Sequence, residues 1–164
     1  MDVSFTQADL IDLMNYDSET GIFTWSKSRR GVIVGKPLGT SNGFGYLRIT
    51  VLGQSVYAHR LAWMFVHGSM PECQIDHING DRSDNRISNL RSVTCAQNLQ
   101  NKIRPQSNSK SSVLGVSWHE KGKKWQSHIA KEGKRIYLGL FESIDDAKQA
   151  YLLAKREIHE FNTL

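Results

Sequence analysis

The sequence predicts an α+β protein built from two modules, and three observations carry that reading. Residues 58–66 are apolar at helical spacing, with Leu61, Met64 and Phe65 on one side and Trp63 and Val66 widening the stripe. Residues 74–102 read as a short strand, a long polar loop, a second short strand and a helix. Beyond residue 112 the rhythm changes to three β-rich runs followed by an alanine-spaced helix.

In chain order, residues 6–14 form a short helix with Thr6 as N-cap and Asp9 in its first turn, closed by a turn signal at residues 17–21. β-rich runs follow at residues 21–25, 45–52 and 54–57, the last two joined around Gly53. The core helix of residues 58–66 leads to a strand at residues 74–77, a loop at 79–88, a strand at 90–93, and a helix opening at Thr94 and reaching about Lys102. The stretch 103–112, containing Arg-Pro-Gln-Ser-Asn-Ser-Lys-Ser-Ser, is polar, aperiodic and interrupted by proline. It marks a linker, so that residues 1–102 form one domain and residues 113–164 another.

The second domain predicts strands at residues 113–119, 125–130 and 135–140, separated by Glu120-Lys-Gly-Lys and Lys131-Glu-Gly-Lys turns. Ser143 caps the last helix, with Asp145 and Asp146 in its first turn, and Ala147, Ala150, Tyr151, Ala154 and Ile158 form its inner face. Small alanines let that helix lie close against a three-stranded antiparallel sheet.

Composition bounds the function classes. A chain 39% hydrophobic and 23% charged is ordinary for a soluble globular protein. Its longest apolar run, residues 61–66, is far short of the roughly 20 residues that cross a bilayer. The expectation is a soluble, cytoplasmic protein without a membrane partner. Cys73 and Cys95 lack a CxxC partner, which disfavours a four-ligand zinc centre and leaves reduced thiols. The net charge of +5 favours a polyanion, and its placement sharpens that: residues 101–140 hold nine Lys or Arg against Glu120 and Glu132.

The chemistry is concentrated between Ile75 and Asn98, where Asp76-His77 is followed by Asn89 twelve residues after His77 and Asn98 nine further on. Phosphodiester hydrolysis needs an activated water, a cation on the phosphate oxygens and stabilisation of the leaving oxygen. A histidine neutral near physiological pH can take the proton, provided its ring is fixed. Asp76 and Asn98 offer hard oxygens to one divalent ion, which suits Mg²⁺ or Mn²⁺ better than Zn²⁺. Alternation on an ideal strand separates Asp76 from His77, so a strand end or twist is expected near His77.

Over residues 71–102 this pattern resembles the HNH endonuclease motif, in the version found in phage and intron-encoded homing enzymes. The resemblance implies a ββα-metal (His-Me finger) core, His77 as general base, Asn89 as the residue orienting it, and Asp76 with Asn98 as ligands of one metal ion. It departs from the commonest pattern at Asn98, where the motif's final His is replaced by a neutral oxygen donor. Nicking and double-strand cutting both stay open.

Blander readings stand beside these. Asp81, Asp84 and Asn85 read as turn residues satisfying their own backbone, and His59 as a residue starting the core helix. Arg48 and Arg60 are candidates for backbone phosphate contact. Trp25, Lys27, Arg29, Arg30 and Lys36 support the nuclease fold or extend the DNA track.

Residues 114–161 resemble the plant ethylene-response-factor (Apetala-type) DNA-binding domain, through Gly115-Val116, Trp125 before Ile129, Ile136-Tyr-Leu-Gly-Leu-Phe141 and the alanine-spaced helix. That resemblance implies a sheet face entering the major groove, with Ser117, His119, Gln126 or His128, Ala130, Arg135 and Tyr137 facing DNA and Lys123 and Lys124 near its backbone. Ser, Ala and Tyr at these places mean fewer bidentate guanine contacts. Trp118 and Trp125 read as packing residues. Together the modules predict a monomeric homing-type endonuclease acting on double-stranded DNA; the alternative is a non-catalytic DNA-binding regulator on a degenerate HNH scaffold. An RNA-directed nuclease is a third reading that no clear set of stacking aromatics supports.

Overall fold

A computed structural model describes residues 3–28, 33–101, 105 and 109–160. Arg29, Arg30, Lys102, Ile103, Arg104 and residues 106–108 of the sequence reading lie outside the described residues. The chain divides into two compact units, Met1–Thr94 and Cys95–Leu164.

The first unit opens with helix α1 (Gln7–Leu13), where Thr6 accepts from the Asp9 amide and the Asp9 side chain returns a bond to the Thr6 amide. This reciprocal capping box satisfies donors that the first turn leaves open. The helix ends one residue earlier than periodicity predicts, because Met14 is fully extended and begins strand β1 (Met14–Asp17), pairing with Trp25 of strand β2 (Ile22–Trp25). That hairpin buries Met14 and Phe23, and sequence alone assigned its first strand to the helix and turn.

A second sheet, β3 (Thr40–Ser41), β4 (Leu47–Val51) and β5 (Gln54–Tyr57), is antiparallel in chain order. Helix α2 (Ala58–His67) follows without a break and ends at Gly68 in the left-handed conformation. Its Ala58, Leu61, Ala62 and Met64 join Leu10, Met14, Phe23, Ile49, Val51, Val56, Ile75 and Leu90 in one core. Burial of this apolar set is what sets the sheets and helix in place around the last pair, β6 (Gln74–His77) and β7 (Leu90–Val93), joined by a 3₁₀ turn at Ile87–Asn89.

The second unit begins with the short helix α3 (Cys95–Gln100), one residue later than Thr94, and none of its residues is buried. Strands β8 (Val116–His119), β9 (Lys124–Lys131) and β10 (Lys134–Phe141) form a sheet with β9 central. Helix α4 (Ile144–Ile158), capped by Ser143, packs Ala147, Tyr151 and Ala154 inward against Ile129, Leu114 and Leu138. Gly115 is required here: a Cβ would sit 2.0 Å from the Tyr151 ring, and its φ of +74° disfavours other residues. His159, just beyond α4, bonds the Ala130 carbonyl at 2.8 Å and fastens the helix end to β9.

Candidate active site

His77 is the last residue of β6, and the chain turns at once, with the Gly80 amide donating to the His77 carbonyl at 2.9 Å. Asp76 and His77 are therefore both buried, 7% and 4% exposed, although they point to different surroundings. Asp76 faces its cross-strand partner Arg91, whose Nε and Nη2 donate to Oδ2 at 2.9 and 2.8 Å. His77 faces the aromatic rings of His59 at 5.1 Å and Tyr46 at 5.9 Å.

The ring of His77 is held by Asn85. Its Nε2 lies 3.4 Å from Asn85 Oδ1, while the Asn85 amide nitrogen donates to the Ser83 carbonyl at 3.0 Å. The second bond fixes which end of the amide faces the ring, so it is the acceptor Oδ1 that is turned to Nε2. Asn85 is itself 1% exposed. Its carbonyl accepts from the Tyr16 hydroxyl at 2.7 Å, and Gly21 packs so closely that a Cβ there would lie 2.5 Å from the Asn85 backbone. The N-terminal hairpin thus braces the residue that holds His77.

Asn89 does a different job from the direct orientation expected of it. Its Oδ1 accepts from the Asn79 amide at 3.0 Å and its Nδ2 donates to the Asp84 carbonyl at 2.9 Å. Both ends of the side chain tie the 79–84 loop closed. Its influence on His77 runs through backbone, with the Ile78 amide donating to the Asn89 carbonyl at 2.9 Å. Asp81 accepts from Ser83, and Asp84 accepts from Arg86 and Asn79, as loop-closing residues do. Arg86 holds the Asp84 carboxyl down to about 2.

Burial pushes the His77 imidazole below its ordinary value, opposed by the Asn85 bond and the carboxylates of Asp76, Asp81 and Asp84. His59, the second residue of α2, is pushed down to about 3 by burial and by His77 and Arg60. It stacks on Tyr57 at 5.3 Å, and its Nδ1 is buried with no hydrogen-bond partner among the described residues. Two neutral imidazoles in contact make a site that resists positive charge.

One side chain here, Asp76, is a hard oxygen donor of the kind a divalent ion takes. Its carboxylate is oriented by Arg91, and among the described residues no group of three or more His, Cys, Asp or Glu gathers as a closed cage. Few protein ligands suit an ion of the Mg²⁺ type, which keeps several waters and takes substrate phosphate. Asn98, the second expected ligand, sits on α3 in the second unit.

Arg60 and Arg48 are engaged within the first unit. Arg60 Nη2 donates to the Pro71 carbonyl at 2.9 Å; Arg48 donates twice to Ser55 and lies over Tyr57. In the second unit, Ser127 and Ile129 of β9 are buried, so alternation turns Gln126, His128 and Ala130 to the other face. Register sets Ser117 opposite Gln126, Tyr137 opposite His128 and Arg135 opposite Ala130, with His119 beside Lys124. Gln126 donates to Ser117 at 3.1 Å, and the His128 and Tyr137 rings are 5.3 Å apart. Lys124 pairs with Glu142, while Lys123 lies in the β8–β9 turn with φ +50°. Trp118 and Trp125 are cross-strand partners in edge contact at 5.1 Å.

Sequence reasoning missed Asn85, Arg91 and Tyr46. The Asp76–Arg91 pair was reachable by writing the two strands in antiparallel register, where opposite charges face each other. Asn85 carried no such signal, since a turn asparagine and a buried one read alike.

Residues 56–100, spanning this site, match the family described as HNH endonuclease. The constellation is that of an HNH endonuclease domain. Protein 3.8 of Escherichia phage T7 is 32% identical over 102 residues, covering 62% of this chain and 83% of that protein, and the chain belongs to its family. A protein of Acanthamoeba polyphaga mimivirus named an uncharacterized HNH endonuclease is 38% identical over 76 residues, covering 42% of this chain and 19% of the relative's length. No solved structure matches the chain. No helix among the described residues is long and apolar enough to cross a membrane.

Proposed function

We propose that the protein is a metal-dependent DNA endonuclease of the HNH homing type, hydrolysing phosphodiester bonds at a site read partly by its second unit. The observation that carries this is His77: a buried, neutral imidazole beside a buried carboxylate, its Nε2 committed to Asn85. A ring so held takes a proton from water as the water oxygen attacks phosphorus and the scissile P–O bond breaks, its oxygen departing with the bonding pair, and becomes imidazolium. The carboxylates of Asp76, Asp81 and Asp84 favour that charge against the cost of burial. Asn85 and the Asn89-tied loop keep the ring from swinging, and Arg91 keeps Asp76 in place.

A bound Mg²⁺ or Mn²⁺, for which Asp76 is the candidate ligand in the first unit and Asn98 the ligand that the HNH resemblance implies, would supply charge neutralisation on the phosphate and the leaving oxygen. In the second unit, the face bearing Ser117, Gln126, His128, Arg135 and Tyr137 resembles the DNA-entering face of ethylene-response-factor domains and supports a recognition role. The basic residues around it add salt-sensitive affinity. One chain with two unlike DNA-binding modules needs no second copy to read an asymmetric site, and binding through both raises effective concentration.

The test is conversion of supercoiled plasmid by the purified protein with Mg²⁺, Mn²⁺ or EDTA, on a plasmid library that allows for a rare site. Metal-dependent nicked or linear product that disappears in His77→Ala is expected, and the product form separates nicking from double cutting. DNA binding without scission in any metal would point instead to a regulator on an inactive scaffold.

A further inference from the structure

The His77 ring is buried, and the most exposed large apolar side chain among the described residues of the first unit stands on a loop tied to the same site. His77 is 4% exposed, whereas Phe44 is 74% exposed at the tip of the loop joining β3 and β4. Single exposed apolar residues are common and usually mean nothing. Phe44 differs in how firmly it is presented. Asn42 Oδ1 accepts from the Phe44 and Tyr46 amides at 2.9 and 3.2 Å, and the Asn42 amide donates back to the Tyr46 carbonyl at 3.0 Å. Gly43 and Gly45 on either side take φ of +81° and +88°, a conformation that folds the loop tightly around the phenylalanine.

The tip is also fastened to the catalytic loop. Arg82 Nη1 donates to the Phe44 carbonyl at 3.0 Å, and its guanidinium lies 4.8 Å from the centre of the Tyr46 ring. Tyr46 in turn touches the rings of His59 and His77 at 5.4 and 5.9 Å. An exposed aromatic on a hydrogen-bonded loop is therefore linked, through Arg82 and Tyr46, to a histidine that is buried. The backbone of a straight, stiff duplex reaches such a buried ring poorly, and an apolar wedge driven between base pairs kinks the duplex and changes its groove.

On the reading that this protein acts on duplex DNA, we propose that Phe44 is a DNA-deforming wedge: it inserts between base pairs beside the scissile phosphate and delivers that phosphate to His77. Arg82 is the positioning residue that keeps the wedge in register with the catalytic loop. The occupant of this surface is duplex DNA, favoured by the exposed arginine at the root of the wedge and by the aromatic that every base step can accept.

The experiment needs neither cleavage nor a known target. A covalently closed plasmid is relaxed by a metal-independent topoisomerase in EDTA with saturating protein, the protein is removed, and the topoisomers are resolved. Insertion that unstacks and untwists DNA shifts the distribution. The wild-type protein should shift it, Phe44→Leu should retain the shift because leucine is also a wedge, and Phe44→Ala should lose it at concentrations where a gel shift shows the plasmid fully bound. Melting temperatures of both variants should match the wild type, since the side chain is exposed. Bound wild-type protein that leaves the topoisomers unshifted overturns the wedge, as does an undiminished shift with Phe44→Ala. Strand scission in Mg²⁺ is scored separately: a wedge without scission defeats only the nuclease reading, and no DNA binding at all defeats both.

Discussion

The two units place the polar residues of their candidate sites in opposite ways. In the first, His59, Asp76, His77, Asn85 and Asn89 are all buried around the end of one strand. In the second, Ser117, Arg135 and Tyr137 are exposed on one face of a sheet whose other face packs on α4. The contrast teaches what each task requires. Proton transfer needs a ring of fixed tautomer in a site where charge is costly, hence burial; reading a polyanion needs donors that water and DNA can both reach, hence exposure.

Substitutions can break or sharpen that contrast. The largest effect is expected from His77→Ala, with strand scission reduced about 10²- to 10⁴-fold while DNA affinity in a gel-shift assay is kept. Gly21→Ala comes next. Its Cβ would press on the Asn85 and Arg86 backbone from a left-handed conformation, so the first unit should lose roughly 1–3 kcal/mol in urea unfolding and scission should slow with it.

Arg135→Ala belongs to the other side of the comparison. It should weaken DNA binding, lower the dependence of log affinity on log salt by about 1, and leave the rate at saturating protein unchanged. A change in that rate would mean the sheet face takes part in chemistry. The smallest effect concerns Tyr16, whose phenol burial pushes up to about 12 while its hydroxyl bonds the Asn85 carbonyl. The neutral phenol is favoured by folding, so its contribution is complete below pH 10 and fades as pH rises toward 12. Tyr16→Phe should cost about 1 kcal/mol at neutral pH and flatten that alkaline loss in pH-dependent melting.

The parts of this molecule legible in the sequence are those whose signal is periodic or locally spaced. Strands β4, β5, β6 and β7, helix α2, and the sheet-and-helix order of the second unit follow from alternation and helical spacing. Asp76, His77 and Asn89 stand out by their spacing. What failed was long-range: β1 forms because Met14 finds Trp25 across the hairpin, a pairing no local pattern announces. The same holds for Asn85, whose role comes from Tyr16 and Gly21 behind it and His77 before it. His59 did start its helix as read, yet its ring also packs edge-on against that of His77.

The most direct test of the account is Asn85→Ala in single-turnover cleavage with protein in excess, alongside Asn85→Asp, which keeps an oxygen toward Nε2. Alanine should lower the maximal rate by about tenfold to a hundredfold with the DNA concentration dependence unchanged, and aspartate should restore part of it. A maximal rate equal to wild type in the alanine variant, with the protein folded and bound, would contradict the claim that Asn85 holds the catalytic ring.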